Sequence, residues 1–184
     1  NIRFKASSKF NSSAFFAEVC AVLFLKKKYP KIADHWIGPR KTTYDIKSSS
    51  ENPYIEIKST LNHDSREHKL SINQIQFLKD NKNSELASLI VFRDDVGGKS
   101  CNDICKLLLS KLSENEIGYQ NLFSIMLYYA RNADFNNDFY DFEKTTKSIK
   151  FYKPDFSDLN LDPQPLWLIG GTLNIDFDII KNLD

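Results

Sequence analysis

Between residues 14 and 25 the chain is apolar except for one charge, Glu18. Asn11, Ser12 or Ser13 can cap a helix that begins near Ala14, and Pro30 ends it, because proline disfavours helical backbone at the residue before it. A helix that is apolar all round is buried. The period then changes. Trp36 to Lys47 and Pro53 to Thr60 read as two strands of a hairpin joined through Ser48 to Pro53. On the second strand Tyr54, Glu56 and Lys58 share one face, and Ile55 and Ile57 point the other way, into a core. Ser59 to Lys69 reads as a polar loop, flanked by His63 and His68, whose first residues can prolong the strand. Ser71 caps a helix from Ile72 to about Asp80 that presents Asn73, Gln74 and Gln76. The apolar run Leu86 to Phe92 fits a central buried strand. Gly97-Gly98 makes a turn, Ser100 caps a helix to about Leu112, and a further helix spans about Gln120 to Ala130. The acidic, aromatic stretch Phe135 to Lys153 reads as one or two strands. Pro163 and Pro165 break the chain, and Thr172 to Ile179 alternates as a closing strand. This order describes a mixed α/β sandwich with a central sheet.

The hairpin carries the chemistry. Antiparallel pairing across the Ser48 to Pro53 connection sets Lys47 against Tyr54 and Asp45 against Glu56. Like charges directly opposed on adjacent strands are destabilising, so two carboxylates placed this way point to a shared divalent cation. Mg²⁺ prefers carboxylate oxygens and keeps several waters, leaving room for a phosphate and an attacking water. Lys58, roughly 7 Å along the strand from Glu56, can orient that water or neutralise the phosphoryl group. A lone carboxylate in a buried helix is costly unless paired or metal-bound. Glu18 is therefore a third acidic ligand or a water-orienting group, or else it lies on a narrow wet face or pairs with a lysine.

Composition narrows the setting. The 184 residues suit one domain, with a core over residues 1–95 and a helical and terminal-strand portion over 96–184. The start at Asn1, without Met, suggests the C-terminal part of a longer protein. No apolar run approaches the roughly 18–20 residues that span a bilayer, which argues against a membrane partner, and no secretory signal is visible. Three Cys without framework spacing suggest a reducing, cytoplasmic location. Cys101 and Cys105, four apart on a helix and without a second pair of ligands, are expected to pack in the core. His63 and His68 are read as loop residues, His63 near enough to Lys58 in sequence to touch a substrate. Net charge is only +1, but residues 1–70 hold +6, residues 71–133 are balanced and residues 134–184 hold −5. Lys26, Lys27, Lys28, Lys31, Arg40 and Lys41 can supply phosphate contacts, although Lys26 to Lys28 equally suit a solvated helix end. The acidic tail faces a partner protein or is simply an acidic surface.

Several blocks together resemble the PD-(D/E)XK nuclease superfamily: Trp36-Ile37-Gly38-Pro39 leading to Asp45, Ile55-Glu56-Ile57-Lys58-Ser59-Thr60, and Leu70-Ser71-Ile72-Asn73-Gln74. The helix from Ser100 to Leu112 and the closing Phe151-Tyr152-Lys153, Asp155-Phe156 and Ile175-Asp176-Phe177 extend the likeness over most of the chain. It is similar to the PD-(D/E)XK motif proteins encoded beside bacterial restriction and phage-defence genes. The resemblance implies an α/β restriction-endonuclease-like sandwich, a central mixed sheet flanked by helices. It implies Asp45, Glu56, Glu18 and the main-chain carbonyl of Ile57 as metal ligands, Lys58 as the catalytic lysine, and Gln74 lining the site. Arg40, Lys41, Lys47, Ser59 and Ser71 are then expected to contact DNA. Tyr44 stands where the motif's name has Pro.

The expected activity is Mg²⁺-dependent cleavage of double-stranded DNA by metal-activated water, of restriction or phage-defence type, with Mn²⁺ able to substitute. A homodimer would supply two sites for two strands, and a restriction or defence protein is a further expected partner. Alternatives are a repair or recombination nuclease of the same fold, and a DNA-binding or assembly subunit that does not cut.

Overall fold

The computed structural model describes residues 10–39, 43–153 and 172–176. Arg40, Lys41, Asp155, Phe156, Pro163, Pro165 and Phe177 lie outside them.

The first helix, α1 (Ser12–Leu25), begins where Asn11 accepts the Ala14 amide on its side chain, and it ends before Pro30. Its buried residues, Phe15, Phe16, Ala17, Val19, Cys20, Ala21, Val22 and Leu25 among them, surround the axis. α1 packs on β1 (Tyr54–Thr60) and on α4 (Cys101–Leu109). Ile55, Ile57, Ala87, Leu89 and Val91 form the sheet side of this core, where Cys101 and Cys105 also pack, fully buried and free.

The central sheet has the order β1-β3-β4, with β3 at Ser84–Ile90 and β4 at Lys150–Tyr152. β1 and β3 are parallel, with Glu56 level with Leu86, whereas β3 and β4 are antiparallel, so the sheet is mixed. A parallel pair needs a crossover. Here it consists of β2 (Glu67–Ser71) and α3 (Ile72–Asp80). These cover the second face of the sheet, where Leu86 and Tyr152 pack with Leu70, Ile75 and Leu78. β2 pairs antiparallel with β5 (Thr172–Asp176) in a separate two-stranded sheet. The architecture is the mixed α/β sandwich expected, with helices on both faces. Among the described residues no helix is long and apolar enough to cross a membrane.

Three sequence expectations need correction. Ser59 to Lys69 is not one loop: β1 runs on to Thr60 and β2 begins at Glu67. His68 is accordingly a buried strand residue, its Nε2 2.8 Å from the Ser88 hydroxyl. Phe135 to Lys153 holds α6 (Ala133–Asn137), α7 (Phe142–Lys147) and only then β4. Asn132 and Asp141 cap the two helices by accepting the Phe135 and Lys144 amides, but five and six residues are too few to display a helical apolar period. Finally, the first strand of the hairpin reduces to isolated bridges, Trp36 with Ile46 and Ile46 with Ile55.

The remaining helices buttress the segment that leads into the site. α2 (Ile32–His35) packs on α5 (Ile117–Tyr129), and Asp34 accepts the Gly118 amide at 2.7 Å, capping α5 from outside. A Cβ on Gly118 would stand 2.7 Å from the carbonyl carbon of Ala33. Helix propensity alone would make Gly118→Ala stabilising by about 1 kcal/mol. The clash with backbone should reverse the sign and cost about 1–3 kcal/mol, measured by denaturant unfolding.

Candidate active site

Asp45 reaches the sheet through a bulge. The amides of Asp45 and Ile46 both donate to the Ile55 carbonyl at 3.0 Å, and the Ile55 amide donates back to Ile46. Two residues thus oppose one, an arrangement that re-aims a side chain next to active sites. The Asp45 carboxylate turns along the edge of β1 and accepts the Ile57 amide at 2.6 Å. The connection is held by Asn52, which donates to the Lys47 and Pro53 carbonyls at 2.9 and 2.8 Å. The bridge between Ile46 and Ile55 keeps the expected register as far as Ile46, where the bulge sets Asp45 against Ile55 as well, instead of squarely against Glu56.

Glu56 and Lys58 point to the α3 side of β1. Lys58 Nζ lies 2.8 Å from Glu56 Oε1, and the Glu56 side chain is only 3% exposed. Gln74 ties this pair to α3. Its Oε1 accepts from Lys58 Nζ at 3.2 Å and from the Ser71 amide at 3.0 Å, and its Nε2 donates to Glu56 Oε1. The reciprocal cap of α3 by Ser71 and Gln74 therefore also fixes the lysine and the glutamate. Even-numbered residues of β1 bond to β3, as Tyr54 N–H to Asn83 and Thr60 C=O to Val91 show. The carbonyl of Ile57 thereby falls on the opposite edge, the one along which Asp45 lies.

Glu18 comes from α1, on the other face of the sheet, and accepts from Trp36 Nε1 at 3.2 Å. It shares one cleft of about 510 Å³ with Asp45, Glu56, Ile57, Lys58 and Ser59, walled by Asn11 and Ser13 at the start of α1. Among the described residues no three His, Cys, Asp or Glu side chains are grouped to hold one ion. Glu18, held by Trp36, lines the same cleft as Asp45 and Glu56. Of the residues expected to contact DNA, Ser59 lines the cleft, Lys47 is exposed beside its entrance segment and Ser71 caps α3. His63 stacks on Phe92 with ring centroids 4.5 Å apart and is not among the lining residues. Sequence reading missed Asn11 and Ser13 as lining groups, although the cap position of Asn11 fixed them near Glu18. It also missed the indole of Trp36 as the partner of Glu18.

Burial dominates the electrostatics. It raises Glu18 well above the ordinary carboxylate range, and the Asp45 charge adds to the shift against the Trp36 hydrogen bond. Burial raises Asp45 to about 6, opposed by the Ile57 amide and by Lys58. Burial and then the Asp45 charge raise Glu56 to about 8, opposed by Lys58. Without a cation the cleft thus resists carrying its full negative charge. Glu56 Oε2 is buried and has no hydrogen-bond partner among the described residues. An unsatisfied buried carboxylate oxygen costs free energy, and a divalent cation satisfies it. Magnesium needs only one or two carboxylates besides water, so Asp45, Glu56 and the Ile57 carbonyl fit such an ion.

No curated protein and no solved structure matches the chain. The model of the family described as "Putative PD-(D/E)XK family member, (DUF4420)" does match, over residues 19–163. Nucleases of the PD-(D/E)XK type typically use divalent metals. The match takes in α1 from Val19 onward, the bulge, all of the central sheet and α3, and with it the chain belongs to this family.

Proposed function

We propose that this protein is a Mg²⁺-dependent endonuclease that hydrolyses phosphodiester bonds of double-stranded DNA in a restriction or phage-defence setting. The observation that carries the reading is the unpartnered, buried Glu56 oxygen beside Asp45, with the Lys58 ammonium 2.8 Å from the same carboxylate. Asp45, Glu56 and the Ile57 carbonyl would hold the ion, which when bound lowers the pKa of a water and offsets charge on the phosphoryl group. The chain's own groups do the rest. Lys58 keeps a positive charge against the scissile phosphate and offers its N–H groups to a non-bridging oxygen or to the attacking water. Gln74 holds Lys58 and Glu56 in fixed relation, so the ammonium does not have to be oriented during the reaction. Burial disfavours the charged form of Glu18, and its carboxyl can hold a water at the wall of the cleft. Ser59 and Lys47, with the positive balance of residues 1–70, suit the sugar-phosphate backbone. The presence of Asp45, Glu56 and Lys58 together favours cutting over binding alone.

Supercoiled plasmid incubated with the protein is expected to become nicked and linear with Mg²⁺ or Mn²⁺ and to stay intact with EDTA. Plasmid left intact under all conditions, or cut equally well in EDTA, would overturn the proposal. A panel of flap and junction DNAs cut in preference to plain duplex would move the reading to repair or recombination.

A further inference from the structure

The surface of α5 is at odds with a solvated position. Its thirteen residues, Ile-Gly-Tyr-Gln-Asn-Leu-Phe-Ser-Ile-Met-Leu-Tyr-Tyr, contain no charge. Gly118, Leu122 and Ile125 are buried against the body of the protein, as an inner face should be. The outer face is apolar as well: Ile117 is 62% exposed, Phe123 47%, Leu127 64% and Tyr128 45%. Only three other large apolar side chains among the described residues are as open, and they lie apart, on α1 (Phe24) and in loops (Leu61, Val96). An uncharged helix that exposes four large apolar side chains, interrupted only by Gln120 and Ser124, is poorly matched to water, and exposed apolar groups gathered on one helix mark an interaction surface.

We propose that α5 is the interface through which two copies of this chain associate, the two helices lying antiparallel about a dyad at the level of Leu122. The spacing of the outer face is self-complementary, as a two-fold contact requires. Residues equidistant from Leu122 meet across such a dyad. Ile117 of one copy then faces Leu127 of the partner subunit, so the two most exposed apolar side chains of the helix cover each other. Gln120 faces Ser124 of the partner subunit, a small residue that lets the helices approach. The ends add charge complementarity. Arg131, exposed just beyond the C-terminus of α5, comes to the end that is preceded in the partner by the exposed Glu114. Within α5 itself the stripe carries no charge, which is the composition of an interface core, depleted of charge and rich in aromatic residues.

The contact also bears on the cleft. Asp34 caps α5, and α2 runs directly into Trp36, the partner of Glu18. Pairing through α5 therefore braces the segment whose Trp36 holds Glu18 and puts two clefts in one particle. The association itself rests on the surface of α5 and stands whether or not the cleft cuts DNA.

Analytical ultracentrifugation of the whole chain, from low to high micromolar concentration, is expected to give a dimer. Leu127→Glu should give a monomer with unchanged circular dichroism, whose melting temperature matches that of the unaltered chain diluted to its monomer, which separates lost association from lost folding. Arg131→Glu should weaken the dimer about tenfold, and Glu114→Arg in the same chain should recover most of that loss. A monomer at every concentration for the unaltered chain would overturn the proposal. So would a dimer that survives both Leu127→Glu and Ile117→Glu. Failure of the charge exchange to recover association would overturn the antiparallel arrangement.

Discussion

Lys58→Ala is expected to slow DNA cleavage about 10²–10³-fold, the usual loss when one pre-placed charge or donor at a reacting group is removed. The side chain is held on both sides, by Glu56 Oε1 at 2.8 Å and Gln74 Oε1 at 3.2 Å, so its position belongs to the folded structure before DNA arrives. Removing it leaves Glu56 and Asp45 without the positive charge that opposes their raised pKa values. The loss should therefore appear in the single-turnover rate. DNA affinity measured in EDTA should change only a few-fold, because the basic charge of residues 1–70 is spread over many side chains. Lys58→Arg should recover little, because a planar guanidinium cannot replace a compact ammonium between two oxygen acceptors. A rate unchanged in Lys58→Ala would remove the lysine from the mechanism. A large loss of affinity with an unchanged single-turnover rate would make it a DNA contact instead.

The second large effect is a dependence of stability on pH and metal that carries an unusual sign. Asp45 and Glu56 titrate at about 6 and about 8 in the folded chain, above their ordinary values of 3.8 and 4.5. A carboxyl whose folded pKa is raised holds a proton that the unfolded chain has already released. Its contribution to stability is complete below the unfolded pKa and is lost as pH rises through the folded one. The metal-free protein should therefore lose stability between about pH 5 and about pH 8.5, by on the order of 5 kcal/mol from these two groups. For a domain of this size that corresponds to roughly 10–20 °C in Tm. A saturating divalent cation should restore most of it, and more at the higher pH, since it binds the deprotonated carboxylates. Glu56→Gln isolates the effect from titration elsewhere: the decline should flatten and the stabilisation by metal should largely vanish. A wild-type Tm that rises between pH 5 and 8.5 without metal, or a Glu56→Gln protein that still gains from Mg²⁺, would contradict this assignment.

The parts of the fold legible in the sequence are those in which one residue pattern had one physical meaning. The alternation Tyr54-Ile55-Glu56-Ile57-Lys58 could only be a strand with a chemical face and a core face, and it is. A helix apolar over almost its whole surface had to be buried, which leaves Glu18 half-buried, and the Ser71 and Ser100 caps marked the starts of α3 and α4. The pairing of Ile46 with Ile55 followed from the length of the Ser48 to Pro53 connection. The bulge did not, because it depends on two amides sharing the Ile55 carbonyl, which no side-chain pattern announces. β2 was hidden for a different reason. Its outward residues Glu67 and Lys69 are polar, and its inward residue His68 is buried on a hydrogen bond to Ser88 that forms only in the folded sheet. The two short helices after Asn132 were masked by the aromatic residues around them, which favour strands by composition alone. Within the site, Asp45, Glu56 and Lys58 were readable from spacing. The capture of Glu18 by Trp36 and the bridge made by Gln74 were not, since both join elements far apart in sequence.

The central claim is that Asp45, Glu56 and the carbonyl of Ile57 bind one divalent cation. Anomalous diffraction from crystals soaked in Mn²⁺ tests it most directly. One strong peak bounded by those three groups, with Glu56 Oε2 turned to it, is the predicted result. A peak elsewhere, or none while Asp45 stays bonded to the Ile57 amide and Glu56 to Gln74, would contradict it.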